Sequence, residues 1–125
     1  MKQILLVEPD KKVAEIIKEF LERDGLASVQ VAYSAQEAIH TADEFNPELV
    51  ILELAIPKHN GFAFLHEFRS YADWSKVPVI VHSHLAKDEA AMSKSWKILG
   101  AVEYLYKPQT TLAKLKSTSF EVLGT

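Results

Sequence analysis

The sequence predicts an α/β fold, a parallel five-stranded sheet covered by helices on both faces, and two observations carry that prediction. Short apolar runs alternate with longer stretches of helical periodicity, the order of a wound parallel sheet. Three of the runs, ILLV (Ile4 to Val7), LVILEL (Leu49 to Leu54) and VPVIV (Val77 to Val81), are nearly continuous in apolar residues, as strands buried on both faces must be.

The elements follow in order. ILLV is the first strand; SVQVA (Ser28 to Ala32) alternates and suits a sheet edge, and AVEYLY (Ala101 to Tyr106) is the fifth strand. Between the first two strands Val13, Ile16, Ile17, Phe20 and Leu21 recur at helical spacing, with Gly25 placed to end the helix in a left-handed cap. Ser34-Ala-Gln-Glu37 reads as a capping box, followed by Ala38, Ile39, Ala42 and Phe45 on one face, and Asn46-Pro47 stops that helix. Gly61 opens a third helix carrying Leu65 and Phe68, and Asp88 to Leu99 gives a fourth carrying Met92, Trp96 and Leu99 as core-facing residues. The last segment begins a helical face at Leu112 and Leu115, but its Ser/Thr-rich centre has poor helix propensity.

A chain of 125 residues is expected to fold as a single domain over 1–125 and to bury about two thirds of its unfolded surface. Its 14 Lys plus Arg against 17 Asp plus Glu give a net charge of -3, which argues against a basic nucleic-acid-binding face and favours a protein partner. The absence of cysteine excludes disulfides and thiolate metal sites. The apolar run in MKQILLVEPD is too short for a signal peptide or a membrane span, so the expected location is the cytoplasm.

In open parallel sheets ligand sites lie beyond the carboxyl ends of the strands, and there the sequence reads Glu8-Pro9-Asp10, Glu53, Ser83 and Lys107-Pro108. A carboxylate at the end of a strand as apolar as LVILEL needs a partner, and Lys107 is the evident counter-ion.

The segments LLVEPD, NPELVILELAIPKHNGF, VPVIVHS and GAVEYLYKP, in this order and spacing, resemble the CheY-like receiver-domain family of two-component response regulators over nearly the whole chain. The resemblance implies a doubly wound, flavodoxin-like three-layer sandwich, sheet order 2-1-3-4-5, with two helices on one face and three on the other. It also implies an acidic pocket in which two acids after the first strand and an aspartate after the third hold magnesium, and the aspartate takes a phosphoryl group from a phosphohistidine. A Ser or Thr after the fourth strand and a Lys after the fifth neutralise the phosphoryl oxygens; Ser83 and Lys107 match them, Tyr104 matches the coupled aromatic position and Pro108 a cis proline. The partner implied is a histidine kinase or an output domain, met through the face built from the fourth helix, fifth strand and fifth helix.

The sequence departs from the family where the chemistry is done. The first acid is Glu8, the second position is Pro9 with no ligand, and the phosphoacceptor position is Glu53, with Asp10 one residue displaced. Glutamate moves the carboxylate by roughly 1.5 Å, and misplacement of about 1 Å can lower a rate about a hundredfold. The resulting expectation is a degenerate receiver, a pseudo-receiver without enzymatic activity, binding magnesium weakly at best through Glu8, Asp10 and Glu53, and signalling by protein–protein contact. Glu53 can also imitate a phosphorylated aspartate by placing its charge near Ser83 and Lys107.

Other readings stand beside it. Glu53 is chemically able to form an acyl phosphate with magnesium; Glu8 and Glu53 can be strand-end carboxylates satisfied by Lys107; and a flavodoxin-like ligand site would need a glycine- or hydroxyl-rich first loop that Glu8-Pro9-Asp10 does not offer. His82 and His84 suggest a metal site with Glu8 and Glu53, but if Ser83 faces the pocket its neighbours point away. His84 stands where the family has a small residue at the pocket mouth, His40, His59 and His66 read as surface residues, and the chain from Ser83 to Gly100 is two residues longer than the family pattern.

Overall fold

The computed structural model describes residues 1–56, 61–86, 97 and 99–125. Strands β1 (Lys2–Val7), β2 (Ala27–Ala32), β3 (Leu49–Leu52), β4 (Val79–Ser83) and β5 (Ala101–Tyr106) form one parallel sheet in the order β2-β1-β3-β4-β5. This is the order the resemblance implies. Because β2 lies on one side of β1 and β3 on the other, the chain changes direction between β1 and β3, and their carboxyl ends border a crevice. β3 is buried at every position, whereas edge strand β2 alternates and exposes Gln30.

Four described helices flank the sheet: α1 (Lys11–Glu22), α2 (Ala35–Phe45), α3 (Gly61–Ser70) and α4 (Leu112–Leu123), the last being the fifth helix of the sequence reading. Ala14, Ile17 and Leu21 of α1 and Leu115 and Phe120 of α4 pack with Ile4, Leu6, Ile51 and Ile80 on one face. Ala38 and Ala42 of α2 and Phe64, Leu65 and Phe68 of α3 pack with Leu5, Val50, Leu52 and Val81 on the other. The alternation of neighbouring strand residues between the two layers is the two-residue period of a strand covered on both sides. None of the described helices is long and apolar enough to cross a membrane.

The termini obey local chemistry. Asp10 caps α1 by accepting from the Lys12 and Val13 N–H groups, and Ser34 caps α2 by accepting from Glu37. Asn46 ends α2 in the left-handed region at φ 53, as its short polar side chain permits. The final segment forms a full 12-residue helix despite its propensity. Thr111 caps it, Ser117 and Ser119 direct their hydroxyls to carbonyls within the helix, and burial of Leu115 and Phe120 supplies the tertiary support.

Three local features differ from expectation. β4 begins at Val79 because Pro78 has no N–H to give the ladder, although its carbonyl still accepts from Val50. β3 ends at Leu52, two residues early. The Lys107–Pro108 bond is trans, against the cis proline the resemblance implied; Lys107–Gln109 is a 3-10 turn, where the fixed φ and missing N–H of proline are tolerated. The helix expected over Asp88 to Leu99, with Met92 and Trp96, and the two-residue lengthening between Ser83 and Gly100 lie outside the described residues. Lys97 and Leu99 alone are described there, and Leu99 packs against the α2–α3 layer.

The periodicity did not show what Arg69 does. From α3 its guanidinium donates to the carbonyls of Leu99 (2.6 Å), Trp74 (2.7 Å) and Gly100 (3.2 Å), tying the 3-10 turn Ala72–Trp74 and the start of β5 to one side chain.

Candidate functional site

The crevice is built by the strand ladders. The Glu53 N–H donates to the Val7 carbonyl and the Glu8 N–H to that of Ala32, so the β1 and β3 ladders carry both glutamates to the carboxyl edge side by side. One residue of β5 is inserted between the pairs Val79–Ala101 and Ile80–Glu103. That irregularity sets Tyr104 beside Val81 and Tyr106 beside Ser83, and Lys107 follows directly. Glu8, Glu53, Ser83 and Lys107 therefore meet at one edge although they are far apart in sequence.

Glu8 and Glu53 are 2% and 4% exposed, deep enough that each carboxylate needs partners. The Lys107 ammonium lies between them, 2.5 Å from Glu8 Oε1 and 2.8 Å from Glu53 Oε1. Glu53 Oε1 also accepts from the His84 N–H at 3.0 Å, while Oε2 accepts from the Ser83 hydroxyl and, at 3.0 Å, from the Ala55 N–H. Every acceptor direction of that carboxylate is occupied by a donor. Glu8 Oε2 accepts from the Asp10 N–H at 3.1 Å.

Burial alone pushes the Glu53 carboxyl upward. The hydrogen bonds from Lys107, Ser83 and Ala55, with the attraction of the ammonium, outweigh it and leave the group below the ordinary glutamate range. Glu53 is thus held as an anion.

Ser83 also accepts from the Leu85 N–H at 3.1 Å, and the Leu85 carbonyl accepts from the Tyr104 hydroxyl at 2.7 Å. A continuous path of hydrogen bonds runs from the Glu53 carboxylate through Ser83 and the Leu85 peptide to an aromatic ring on edge strand β5. The sequence reading paired Ser83 with Tyr104 by resemblance; the Leu85 backbone that connects them carried no sequence signal.

Of the other candidate residues, Asp10 is placed differently from expectation, whereas His84 and His82 lie as expected. Asp10 is exposed and its carboxylate caps α1, so it does not join the pocket. His84 is largely exposed at the mouth, its Nδ1 3.9 Å from Glu53 Oε1. His82 faces the layer opposite Ser83 and is 5% exposed; its Nδ1 has no hydrogen-bond partner. Burial, joined by the charge of Lys107, lowers the His82 imidazole to about 4. His40 and His66 are exposed as expected, His40 lying 3.4 Å from Glu44, and His59 is outside the described residues.

The residues present do not fit a magnesium ion in this arrangement. The ammonium occupies the position between the two glutamates, Pro9 offers no side-chain oxygen and Asp10 is engaged on its helix. Among the described residues no three His, Asp or Glu side chains converge as metal ligands do.

One glycine positions the site from behind. A Cβ on Gly61 would lie 2.7 Å from Leu54 Cα and 3.0 Å from the Glu53 carbonyl oxygen, so α3 starts against the backbone that carries Glu53. Gly61→Ala is expected to destabilise the protein by about 1–3 kcal/mol through this backbone clash. Urea unfolding checks it, and an unchanged midpoint would show that the 53–55 segment yields freely.

Comparison with known proteins agrees with this geometry. The family model described as response regulator receiver domain matches residues 4–118. The transcriptional regulatory protein MalR of Bacillus subtilis is 37% identical over 109 residues, 86% of this chain and 45% of that protein. A protein-glutamate methylesterase/protein-glutamine glutaminase of Carboxydothermus hydrogenoformans is 27% identical over 123 residues, 97% of this chain and 34% of its own length. The chain thus spans half or less of these relatives. The crystal structure of a CheY-like response regulator receiver domain protein from Methanospirillum hungatei superposes with a TM-score of 0.89 at 22% identity, covering 99% of this chain and 94% of that one. With the sheet order, the strand-end pocket and the match over 4–118 in agreement, the chain belongs to the response regulator receiver domain family of two-component signalling.

Proposed function

We propose that this receiver domain signals without being phosphorylated, as a pseudo-receiver in the cytoplasm with no catalytic activity of its own. Its pocket is held in one state by Glu53. The observation that supports this reading is the saturation of the Glu53 carboxylate by Lys107, Ser83 and two backbone N–H groups. Those are the donors a transferred phosphoryl group would need, and Glu53 already occupies them. To act as a nucleophile it would have to leave four hydrogen bonds, one of them also an ion pair. The state is read out by a protein partner, a histidine kinase or an output domain, on the side of the sheet where Tyr104 links the pocket to edge strand β5.

The rival reading, a working phosphoacceptor at Glu53 assisted by magnesium, is favoured by the presence of Ser83 and Lys107 at the pocket. Incubation with magnesium and acetyl phosphate followed by intact-mass measurement separates the two. The expected result is an unchanged mass, together with magnesium affinity no tighter than millimolar by calorimetry. A stable gain of one phosphoryl group, mapped to Glu53, would overturn the proposal.

A further inference from the structure

The α2–α3 layer carries a second feature, between its two helices. Two adjoining cavities of about 350 and 330 Å³ share Gln36 and Ile39 and form one groove between the helices. Its floor is apolar, with Ala35, Ile39, Phe64 and Trp74. Trp74 closes an aromatic stack, 4.9 Å from the ring of Phe68, and at the same distance meets Tyr71, which is 45% exposed at the groove's end.

The rim is acidic. Asp43 stands on the α2 side and Glu67 on the α3 side, and neither has a cation within ion-pair distance among the described residues. Glu19, Glu22, Asp24 and Glu48 each pair with a lysine or arginine, whereas Asp43 and Glu67, like the exposed Glu15, Glu37, Asp73, Glu103 and Glu121, have no such pair among the described residues. Charge is divided between the two layers: α2 contains no lysine or arginine, and the one basic residue of α3, Arg69, turns its guanidinium inward onto three carbonyls. The opposite layer, α1 with α4, holds five lysines and four glutamates.

We infer that the α2–α3 groove is a docking surface for a lysine- or arginine-bearing amphipathic helix of a partner protein, distinct from the β5 side. An aromatic and aliphatic floor with unpaired carboxylates on both walls complements a helix that presents apolar residues at i and i+4 flanked by cations. Tyr71 at the end of the groove offers a ring face to one of those cations.

The test uses the ¹⁵N-labelled full chain and a synthetic 16-residue helical peptide of leucines at i, i+4 spacing with lysines beside them. Titration is expected to shift the amide signals of Ile39, Phe64 and Tyr71 and the Trp74 indole N–H. Asp43→Asn with Glu67→Gln is expected to weaken binding about tenfold, and replacing the peptide's leucines by serine to abolish it. Both variants sit on exposed positions, so their spectra should otherwise match the parent. Shifts spread over other acidic surfaces, or equal affinity for parent and variant, would overturn the proposal. So would sedimentation showing a self-association of the chain that the same double variant removes, because the groove would then be filled by a second copy.

Discussion

Replacing Lys107 by methionine is expected to destabilise the domain by about 3–5 kcal/mol, the scale for removing one partner of a buried ion pair. The reason lies in the charge count at the pocket: Glu8 and Glu53 share a single ammonium, and each is almost wholly buried. Methionine keeps most of the side-chain length and none of the charge, leaving two carboxylates beside each other with only N–H and hydroxyl donors. One of them must then take up a proton, so the loss should be largest at neutral pH and shrink in acid. Glu53→Gln in the Lys107→Met background is expected to return part of the stability, because it removes one of the two opposed charges. Urea unfolding of the parent, both single variants and the double variant at pH 7 measures the coupling. A Lys107→Met change below about 1 kcal/mol, in the range of exposed pairs, would mean that water screens the network.

His82 gives the second large effect, and its sign follows from linkage. Its folded-state value of about 4 lies below the ordinary 6.5, so the unfolded chain binds the proton more readily. The stability associated with neutral His82 is fully present above pH 6.5 and is lost as the pH falls toward 4. It amounts to about 3 kcal/mol if the whole displacement is expressed. Depression of the Glu53 carboxyl works in the same direction at lower pH, with stability present above its ordinary 4.5 and lost as the pH falls below it. His82→Leu removes the unpartnered Nδ1 and the titration together. It is expected to raise stability at pH 7 by about 1–3 kcal/mol and to flatten the profile between pH 6.5 and 4.5. An NMR titration finding the His82 imidazole near 6.5 would refute the burial argument.

The fold was legible because its signals are local. Apolar runs at β1, β3 and β4, the cap at Ser34 and the stop at Asn46-Pro47 are each written within a few consecutive residues. The site was legible in part for another reason: strand ends converge in a parallel sheet, so Glu8, Glu53, Ser83 and Lys107 could be grouped before any coordinates. What the sequence did not show comes from backbone and burial. The His84 and Ala55 amides that saturate Glu53 have no side-chain signature, and the Leu85 peptide between Ser83 and Tyr104 is invisible for the same reason. Asp10 is an acid one residue beyond the second acid position, so its type and place permit a pocket role. Its helix-capping role prevailed because two orphan N–H groups lie within three residues of it. The full length of α4 was masked by its serines and threonines, whose hydroxyls turn back onto the helix itself.

Arg69 bears on how this protein can vary. Two of its three hydrogen bonds hold Leu99 and Gly100, and Gly100 adopts φ +84 with the guanidinium 2.8 Å from where a Cβ would be. Ser83 is fixed at the other end of the intervening chain by Glu53. The residues before β5 and the last residue of β4 are therefore each anchored by a side chain from elsewhere in the fold, Arg69 of α3 and Glu53 after β3, and the start of the strand from which Lys107 reaches the pocket is inherited together with Arg69. Arg69 and Gly100 are accordingly expected to vary together or not at all over descent.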